Sequence, residues 1–262
     1  MSKRWWVGLL AGTLIAVVVA APTSAAGIKV VRHGPRTDNV VALTFDDGWS
    51  LSRCEAILSI LEREHVAATF FPISIYTKRD AWFWRKVAAL GYPIGNHTVH
   101  HLDMSKLSYQ QQLDEIAKAR NTMAKVGIPM TPLFRPPYGA WNDDTLVAAE
   151  AAGYSKFMIW DTSMGDTSRL GNDNTHFHDA VRGKAGSIVL MHCGPGMTPR
   201  LLPKVIASYR QRGFRFVTVP QLLGMPGPTP RFMPRLLPQL DEPLPVKATP
   251  IFCPSALLNI PL

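Results

Sequence analysis

The segment Val40-Val41-Ala42-Leu43-Thr44-Phe45-Asp46-Asp47-Gly48 joins an apolar, β-branched run directly to two acidic residues and a glycine. Such a run is typical of a buried strand. The next segment, 51–63, has apolar residues at three- and four-residue intervals, which predicts an amphipathic helix. A strand that leads at once into a helix is the basic unit of an α/β fold, so this stretch indicates the architecture.

The same alternation continues along the chain as far as Val219. Further strands are predicted at 67–71, 157–160, 187–191 and 214–217, and further helices at 80–90, 107–126, 142–152 and 200–212. Glycines that suit a left-handed C-terminal cap follow four of the helical segments, at Gly91, Gly127, Gly153 and Gly213. The pattern predicts a parallel α/β domain, either a barrel or a doubly wound sheet.

Both ends of the chain differ from this central part. Lys3 and Arg4 precede the apolar stretch 5–21, and small residues follow it. We therefore expect 1–26 to be a secretory signal peptide, with a retained membrane anchor as the alternative. At the other end, 224–262 holds ten of the 22 prolines and no long periodic segment. We interpret it as an extended, proline-rich tail.

The composition limits the class of protein. A chain of 262 residues with 47% hydrophobic content can build one domain with a sizeable core. Its formal charge is +9, but the basic residues form no block, so a basic surface near anionic envelope polymers is favoured over nucleic-acid binding. Cys54, Cys193 and Cys253 have no metal-ligand spacing. One disulfide with one free thiol, or three unpaired thiols, both remain open.

Acidic and histidine residues form the first candidate site. A turn at Gly48 would let Asp46 and Asp47 approach one point, where a cation would relieve their repulsion. His97 and His101 are four residues apart, so one helical turn would point both rings at the same cation. Two histidines and a carboxylate suit zinc or cobalt and leave positions open for water. Taken separately, these motifs are also compatible with a plain turn and a solvated loop.

Two later motifs add candidate residues. Arg135 begins the rigid segment Arg135-Pro136-Pro137-Tyr138-Gly139, and it could pair bidentately with a carboxylate. His192 ends the predicted strand at 187–191, where a histidine alone would more often be a core residue. Four sites of catalytic residue types, each near the end of an apolar run, favour one shared active site.

In this order and form, the motifs resemble those of the polysaccharide deacetylase (NodB-homology) family, carbohydrate esterase family 4. The resemblance covers roughly 38–222, which we interpret as the catalytic domain. It implies an α/β fold of one domain, a distorted (β/α) barrel with the active site at the C-terminal ends of the strands. It also implies one divalent metal ion, expected to be Zn²⁺ with Co²⁺ as an alternative.

The resemblance further implies a role for each motif residue. Asp47, His97 and His101 match the family's metal ligands. The remaining matches are Asp46 as general base, Arg135 as the partner of that base, His192 as general acid, the Tyr138 backbone N–H as oxyanion donor, and Leu190 as a wall of the acetyl-methyl pocket.

The fourth motif of the family, Asp-x-x-Asp-Trp, is altered in this chain. Asp166 matches the second aspartate, which would orient His192. Asp161 is the alternative match if the alignment of this loop with the motif is shifted. Ser163 and Thr167 stand in place of the first aspartate and the tryptophan. We expect a reshaped groove wall, with Trp141 or Trp160 as the candidate substitute for the missing tryptophan.

The implied activity is hydrolysis of N-acetyl groups on an N-acetylglucosamine-containing polysaccharide such as peptidoglycan or a chitin-like glycan, with release of acetate. O-deacetylation of acetylated xylan by the same residues remains an alternative. A non-catalytic glycan-binding protein would need neither acid nor base. A glycosidase using Asp46 and Asp161 would leave the histidines without a role. We expect a secreted monomer. Five aromatic residues are candidates for stacking on sugar rings, with packing in the core as the alternative: Trp49, Trp82, Trp84, Tyr138 and Trp141.

Overall fold

The computed structural model describes residues 27–232. The predicted signal peptide at 1–26, residues 233–262 of the predicted tail and Cys253 all lie outside the described residues. Within 27–231 the chain forms part of one compact unit. None of the helices in the described part has the length and apolarity needed to cross a bilayer.

The described residues contain short strands that alternate with helices. The strands are β1 (Lys29–Val31), β2 (Val40–Asp47), β3 (Ala68–Pro72), β4 (Leu133–Phe134), β5 (Lys156–Met158), β6 (Thr162–Ser163), β7 (Ser187–His192) and β8 (Arg215–Phe216). The helices are α1 (Leu51–Arg63), α2 (Ser74–Arg79), α3 (Ala81–Ala89), α4 (Tyr109–Lys125), α5 (Asp143–Ala151), α6 (Asp173–Ala180), α7 (Met197–Gln211) and α8 (Val219–Leu222). Single 3-10 turns lie at Met104–Lys106 and Pro137–Gly139.

The strands form two sheets in which every ladder is parallel. One sheet has the order β3-β2-β7-β6, with β8 paired to the start of β2, and the other has the order β1-β5-β4. Isolated bridges from Phe70 to Ile94 and from Asn96 to Phe134 connect β3 to β4 through segment 94–96. The architecture is therefore a distorted barrel, and the α/β prediction is confirmed.

Strand β2 lies at the centre of the larger sheet and sets the position of the site. All eight of its residues are buried, as its apolar run predicts. Its register with β7 places Asp46 opposite His192, and its register with β3 places Asp47 opposite Pro72. Because parallel strands end at one edge, polar residues from different motifs meet there.

The central strand also anchors the core. Phe45 of β2 stacks on Phe70 of β3 with ring centroids 5.5 Å apart, and Trp84 of α3 packs edge-on against Phe70. All three side chains are essentially inaccessible to solvent. Burying an aromatic or aliphatic side chain of this kind contributes about 1.5–3 kcal/mol, so this packing holds the strand ends that carry the site.

The five predicted helices are observed as α1, α3, α4, α5 and α7. Their ends lie within three residues of the predicted ends, and the largest difference is at α7, which begins three residues before the predicted start. The four predicted cap glycines all have φ between 70° and 88°, which confirms that assignment. Predicted strand 157–160 is observed at 156–158, and Ile159 just after it donates its N–H to the Val31 carbonyl of β1. Of the proline-rich tail, residues 224–232 are described, and Arg231 donates its N–H to the Leu90 carbonyl at the end of α3.

Candidate metal-dependent active site

Three side chains converge at the C-terminal end of β2. The Oδ1 atom of Asp47 lies 3.6 Å from Nε2 of His97 and 3.3 Å from Nε2 of His101. One ligand atom from each residue falls within 4.8 Å of the others. Asp47 and His97 are buried, whereas His101 is partly exposed. The structure thus brings together the three residues expected to hold a metal.

The turn after β2 makes this approach possible. Asp47 has φ of 75° and Gly48 has φ of 83°, so two successive residues adopt left-handed backbone. A Cβ at position 48 would lie 2.7 Å from the Trp84 ring, and a side chain there would be excluded even without the backbone constraint. The left-handed conformation at the end of β2 directs the Asp47 side chain into the site.

The helical turn expected at His97–His101 is not observed. Segment 97–103 is a loop, in which Thr98 and His101 have φ of 66° and 61°. Side-chain oxygens take the N–H groups that a helix would use: Asn96 accepts from Thr98, and Glu115 of α4 accepts from Val99 and His100. The two ligand rings nevertheless meet, with centroids 5.0 Å apart.

Hydrogen bonds and burial leave both histidines ready to act as ligands. His97 Nδ1 lies 2.8 Å from the Arg135 carbonyl, to which it donates, so Nε2 is the ring nitrogen that faces Asp47 and would bind a metal. Burial and the neighbouring His97 lower the pKa of His101 to about 4, so its ring is neutral at pH 7. Burial acts to raise the pKa of Asp47, but His97 and the positive charges that His192 and His101 carry at acid pH outweigh it and leave that pKa below its usual value.

The donor set fits a divalent cation. The Oδ1 atom of Asp47 is buried and has no hydrogen-bond partner, and the Nε2 atoms of two imidazoles lie close to it. An unpaired buried carboxylate oxygen is costly, and a bound cation would satisfy it. Two nitrogens and one oxygen from the protein are the ligand set of a catalytic site with open positions.

Asp46 lies beside this cluster and is held by the fully buried Arg135. Arg135 Nη1 donates to Asp46 Oδ1 at 2.7 Å and to Thr44 Oγ1 at 2.9 Å. The bidentate pair expected from the sequence is not formed, because Nη2 is directed to the Ile159 carbonyl instead. Asp46 Oδ2 remains free on the side of His97, 3.8 Å from its Nε2. One carboxylate oxygen is therefore anchored and the other faces the cluster.

His192 and Asp166 form the opposite part of the site. Nδ1 of His192 lies 2.7 Å from Asp166 Oδ1, and the His192 backbone N–H donates to Oδ2 at 2.8 Å. Asp161, the alternative match to the second aspartate, does not contact His192. Its carboxylate pairs with Arg36 and accepts hydrogen bonds from the Ser187 hydroxyl and the Ile188 N–H. Burial acts to lower the pKa of His192, but Asp166, Asp46 and Asp47 outweigh it and raise that pKa to about 9.

The pH dependence of kcat should reveal the interaction between His192 and Asp166. Because the pKa of His192 is raised, the protonated ring should be present at neutral pH and be lost as pH rises towards 9, and a bound cation would lower that pKa. Asp166→Asn should move the alkaline fall in kcat to lower pH by more than about one unit. The measurement is kcat against pH at saturating metal and substrate. An alkaline limb at the same pH in both proteins would assign the titration to another group.

A cavity of about 630 Å³ joins these residues, within the range of about 300–1,000 Å³ usual for small-molecule sites. Leu190 is buried at its wall, and Tyr138, with φ of 58°, exposes 69% of its surface there while its ring contacts His101. The residues lining the cavity are Asp46, Asp47, Trp49, Ile73, Tyr76, His97, His100, His101, Tyr138, Trp160, Ser163, Thr167, Leu190 and His192.

The aromatic residues considered for the altered fourth motif have different positions. Trp160 lines the cavity together with Ser163 and Thr167. Trp141 instead packs against Phe157 in the core, with ring centroids 5.4 Å apart. Of the two tryptophans, only Trp160 lines the groove beside Ser163 and Thr167.

Comparison with known proteins places this site in a family. The family profile described as polysaccharide deacetylase matches residues 33–157. A peptidoglycan-N-acetylglucosamine deacetylase of Bacillus cereus is 33% identical over 72% of this chain and 90% of its own length. This chain belongs to the polysaccharide deacetylase family. The resemblance seen in the motifs is thereby confirmed.

Other members show the same relationship. A chitooligosaccharide deacetylase of a Bradyrhizobium species is 31% identical over 70% of this chain and 90% of its own length. Among solved structures, the Bc1960 peptidoglycan N-acetylglucosamine deacetylase, in complex with 4-naphthalen-1-yl-N-oxidanyl-benzamide, superimposes with a TM-score of 0.70. That match has 27% identity and covers 76% of this chain and 94% of the other.

The deacetylase site contains supporting residues that no sequence motif indicated. Thr198, fully buried in the first turn of α7, donates its hydroxyl to Asp166 Oδ2 at 2.5 Å. Glu115 of α4 binds two backbone N–H groups of the histidine loop and also the ring of His100. Each belongs to a helix remote in sequence from the motif it supports, so neither spacing nor residue type could identify it.

Replacement of Thr198 by valine, which has the same shape but no hydroxyl, should lower kcat about tenfold, because Asp166 would lose one of the groups that orient it towards His192. Thr198→Ser keeps the hydroxyl and should retain most of the activity. The check is a comparison of kcat and its alkaline limb in both variants alongside thermal melts. Equal activity in Val and Ser variants would show that the hydroxyl does not act through Asp166.

Proposed function

We propose that this chain is a metal-dependent hydrolase that removes N-acetyl groups from an N-acetylglucosamine-containing polysaccharide and releases acetate. The main support is one arrangement: a carboxylate and a protonated imidazole flank the three-ligand cluster in one cavity. The carboxylate is Asp46 and the imidazole is His192, which are direct neighbours across β2 and β7. Binding alone would need neither group.

A metal ion held by Asp47, His97 and His101, which we propose to be Zn²⁺, would polarise the acetyl carbonyl and lower the pKa of a bound water. Asp46 is suited to accept the proton of the attacking water, because Arg135 anchors one oxygen and leaves the other facing the cluster. The Tyr138 backbone N–H is the proposed second donor to the developing oxyanion. One such donor contributes roughly 3 kcal/mol to transition-state stabilisation.

His192 is suited to protonate the leaving group. Its Nδ1 is committed to Asp166, which fixes the ring and directs the proton on Nε2 into the cavity. An amide nitrogen must be protonated before it can leave, whereas an ester oxygen leaves more readily. A histidine with a pKa raised to about 9 is therefore of greater value for N-deacetylation than for O-deacetylation.

The remaining parts of the proposal concern substrate and location. The two curated relatives named above act on peptidoglycan and on chitooligosaccharides, both of which carry N-acetylglucosamine. The net charge of +9 suits an anionic envelope polymer, and the predicted signal peptide suits export. We accordingly propose a secreted, monomeric enzyme of the cell wall, with 38–222 as its catalytic domain and Leu190 beside the acetyl methyl group.

Acetate release tests the proposal. The mature protein would be incubated with N-acetylglucosamine oligomers, peptidoglycan and acetylxylan, with Zn²⁺ or Co²⁺ added or removed by a chelator. We expect chelator-sensitive release from the N-acetyl glycans. Release from acetylxylan alone would make the protein an esterase, and no release from any substrate by a metal-loaded protein would contradict the proposed activity.

A further inference from the structure

Trp49 directly follows the Asp-Asp-Gly turn, and its indole lines the cavity that contains Asp46, Asp47 and His192. It leaves 42% of its surface exposed to solvent. Single exposed hydrophobic residues are common and need no explanation on their own. The position of Trp49 in the wall of the cavity and the contacts that hold it are what distinguish it.

The indole is held in place by its neighbours. The guanidinium of Arg53, on α1, lies over the ring, 5.6 Å from its centroid, and also donates to the Gly194 carbonyl. Gly194 packs so closely that a Cβ there would lie 2.2 Å from Cε2 and Nε1 of the indole. The Trp49 carbonyl accepts from Arg79 Nη2 at 3.3 Å. Backbone and ring are thus both fixed before any ligand arrives.

Trp82 provides a comparison within the same molecule. It is more exposed than Trp49, at 53%, but it is not among the residues that line the cavity, and its ring contacts Phe83. Ile73 and Tyr76 line the same cavity as Trp49. The Trp49 indole is thus a rigid, half-exposed aromatic surface in the wall of the reaction site. It offers a flat apolar face to the part of a polymer that extends out of the cavity.

We infer that Trp49 is the platform of a second sugar subsite, on which the pyranose ring next to the deacetylated residue stacks. This inference rests on the proposed function and names the ligand as an N-acetylated glycan of at least two sugar units. A pyranose presents C–H groups on its face and hydroxyls at its edge, which matches an indole with an apolar face and one N–H donor. Because Arg53 and Gly194 fix the ring in advance, little ordering is needed on binding.

Kinetics on oligomers of different length provide the first test. Trp49→Ala should raise KM for an N-acetylglucosamine pentamer about tenfold and should change kcat far less, with a smaller rise in KM for the dimer. Trp49→Phe should restore most of the affinity, and the matched control Trp82→Ala should leave both constants at the wild-type values. Arg53→Met keeps the indole but removes one of its supports, so it should give a smaller rise in KM. Arg53→Met is the variant that tests the subsite if Trp49→Ala does not fold.

Binding without turnover separates this inference from the proposed activity. In an Asp46→Asn background, the pentamer should quench tryptophan fluorescence, and this signal should vanish with Trp49→Phe but persist with Trp82→Phe. Trp49-dependent binding by a protein that releases no acetate would overturn the proposed activity and leave the subsite standing. Acetate release with an unchanged KM in Trp49→Ala at both oligomer lengths would overturn the subsite and leave the activity standing.

Discussion

Replacing Asp46 by Asn should lower kcat for N-acetyl glycans by about 10³-fold while the protein still binds its metal ion. The side chain keeps its size and still accepts a hydrogen bond from Arg135, so the buried guanidinium is not left without a partner. Only the ability to take a proton is lost. Acetate release measures the effect, and metal content measured on the same sample shows whether the cluster survives.

The matched control is Asp161→Asn. Asp161 is also the acidic partner of an arginine, since Arg36 lies 2.6 Å from it, but it is exposed and belongs to a different cavity. Its replacement should leave kcat within about twofold, whatever it does to stability. If Asp161→Asn reduced turnover as strongly as Asp46→Asn, the assignment of the base to Asp46 would be wrong.

Replacement of His97 by Gln should weaken metal binding by at least about 100-fold and abolish acetate release at ordinary metal concentrations. His97 is buried, its Nδ1 is fixed by the Arg135 carbonyl, and its Nε2 faces Asp47. The amide of glutamine cannot reproduce that nitrogen at the same place. The measurement is a competition titration with a chelating dye, which needs no catalytic activity.

His100 is the control for this second prediction, because it lies in the same loop between the two proposed ligands. Its ring is directed to Glu115 instead of the cluster, and its side chain is 56% exposed. His100→Gln should therefore keep the metal affinity within about threefold. Equal losses of affinity in the His97 and His100 variants would show that the loop, and not His97 as a ligand, is what the first substitution disturbs.

The fold could be predicted from the sequence wherever a local pattern determines it. β2 and β7 are mainly apolar runs, α1 and α4 have regular apolar spacing, and each is observed nearly as expected. β4 and β6 have two residues each and exist only through pairing with distant strands, so no local signal predicted them. The four motifs gave the proposed ligands, base and acid, which the structure brings into one cavity.

Other parts of the site depend on tertiary contacts that the sequence does not display. The spacing of His97 and His101 suggested a helical turn, but Asn96 and Glu115 supply side-chain acceptors that stabilise a loop instead. The contact of Thr198 with Asp166 spans 32 residues. Trp49 was one of five candidate aromatic residues, and only the packing of Arg53 and Gly194 around it sets it apart.

Left-handed backbone is concentrated at the site. Of the five non-glycine residues with positive φ in 27–232, four lie in or beside the cavity: Asp47, Thr98, His101 and Tyr138. Each such conformation costs on the order of 1–3 kcal/mol, and glycine would relieve most of that cost. A lineage freed from selection for catalysis would therefore gain stability by acquiring glycine at these positions. The side chains that make the site are therefore among those that such a lineage would lose first.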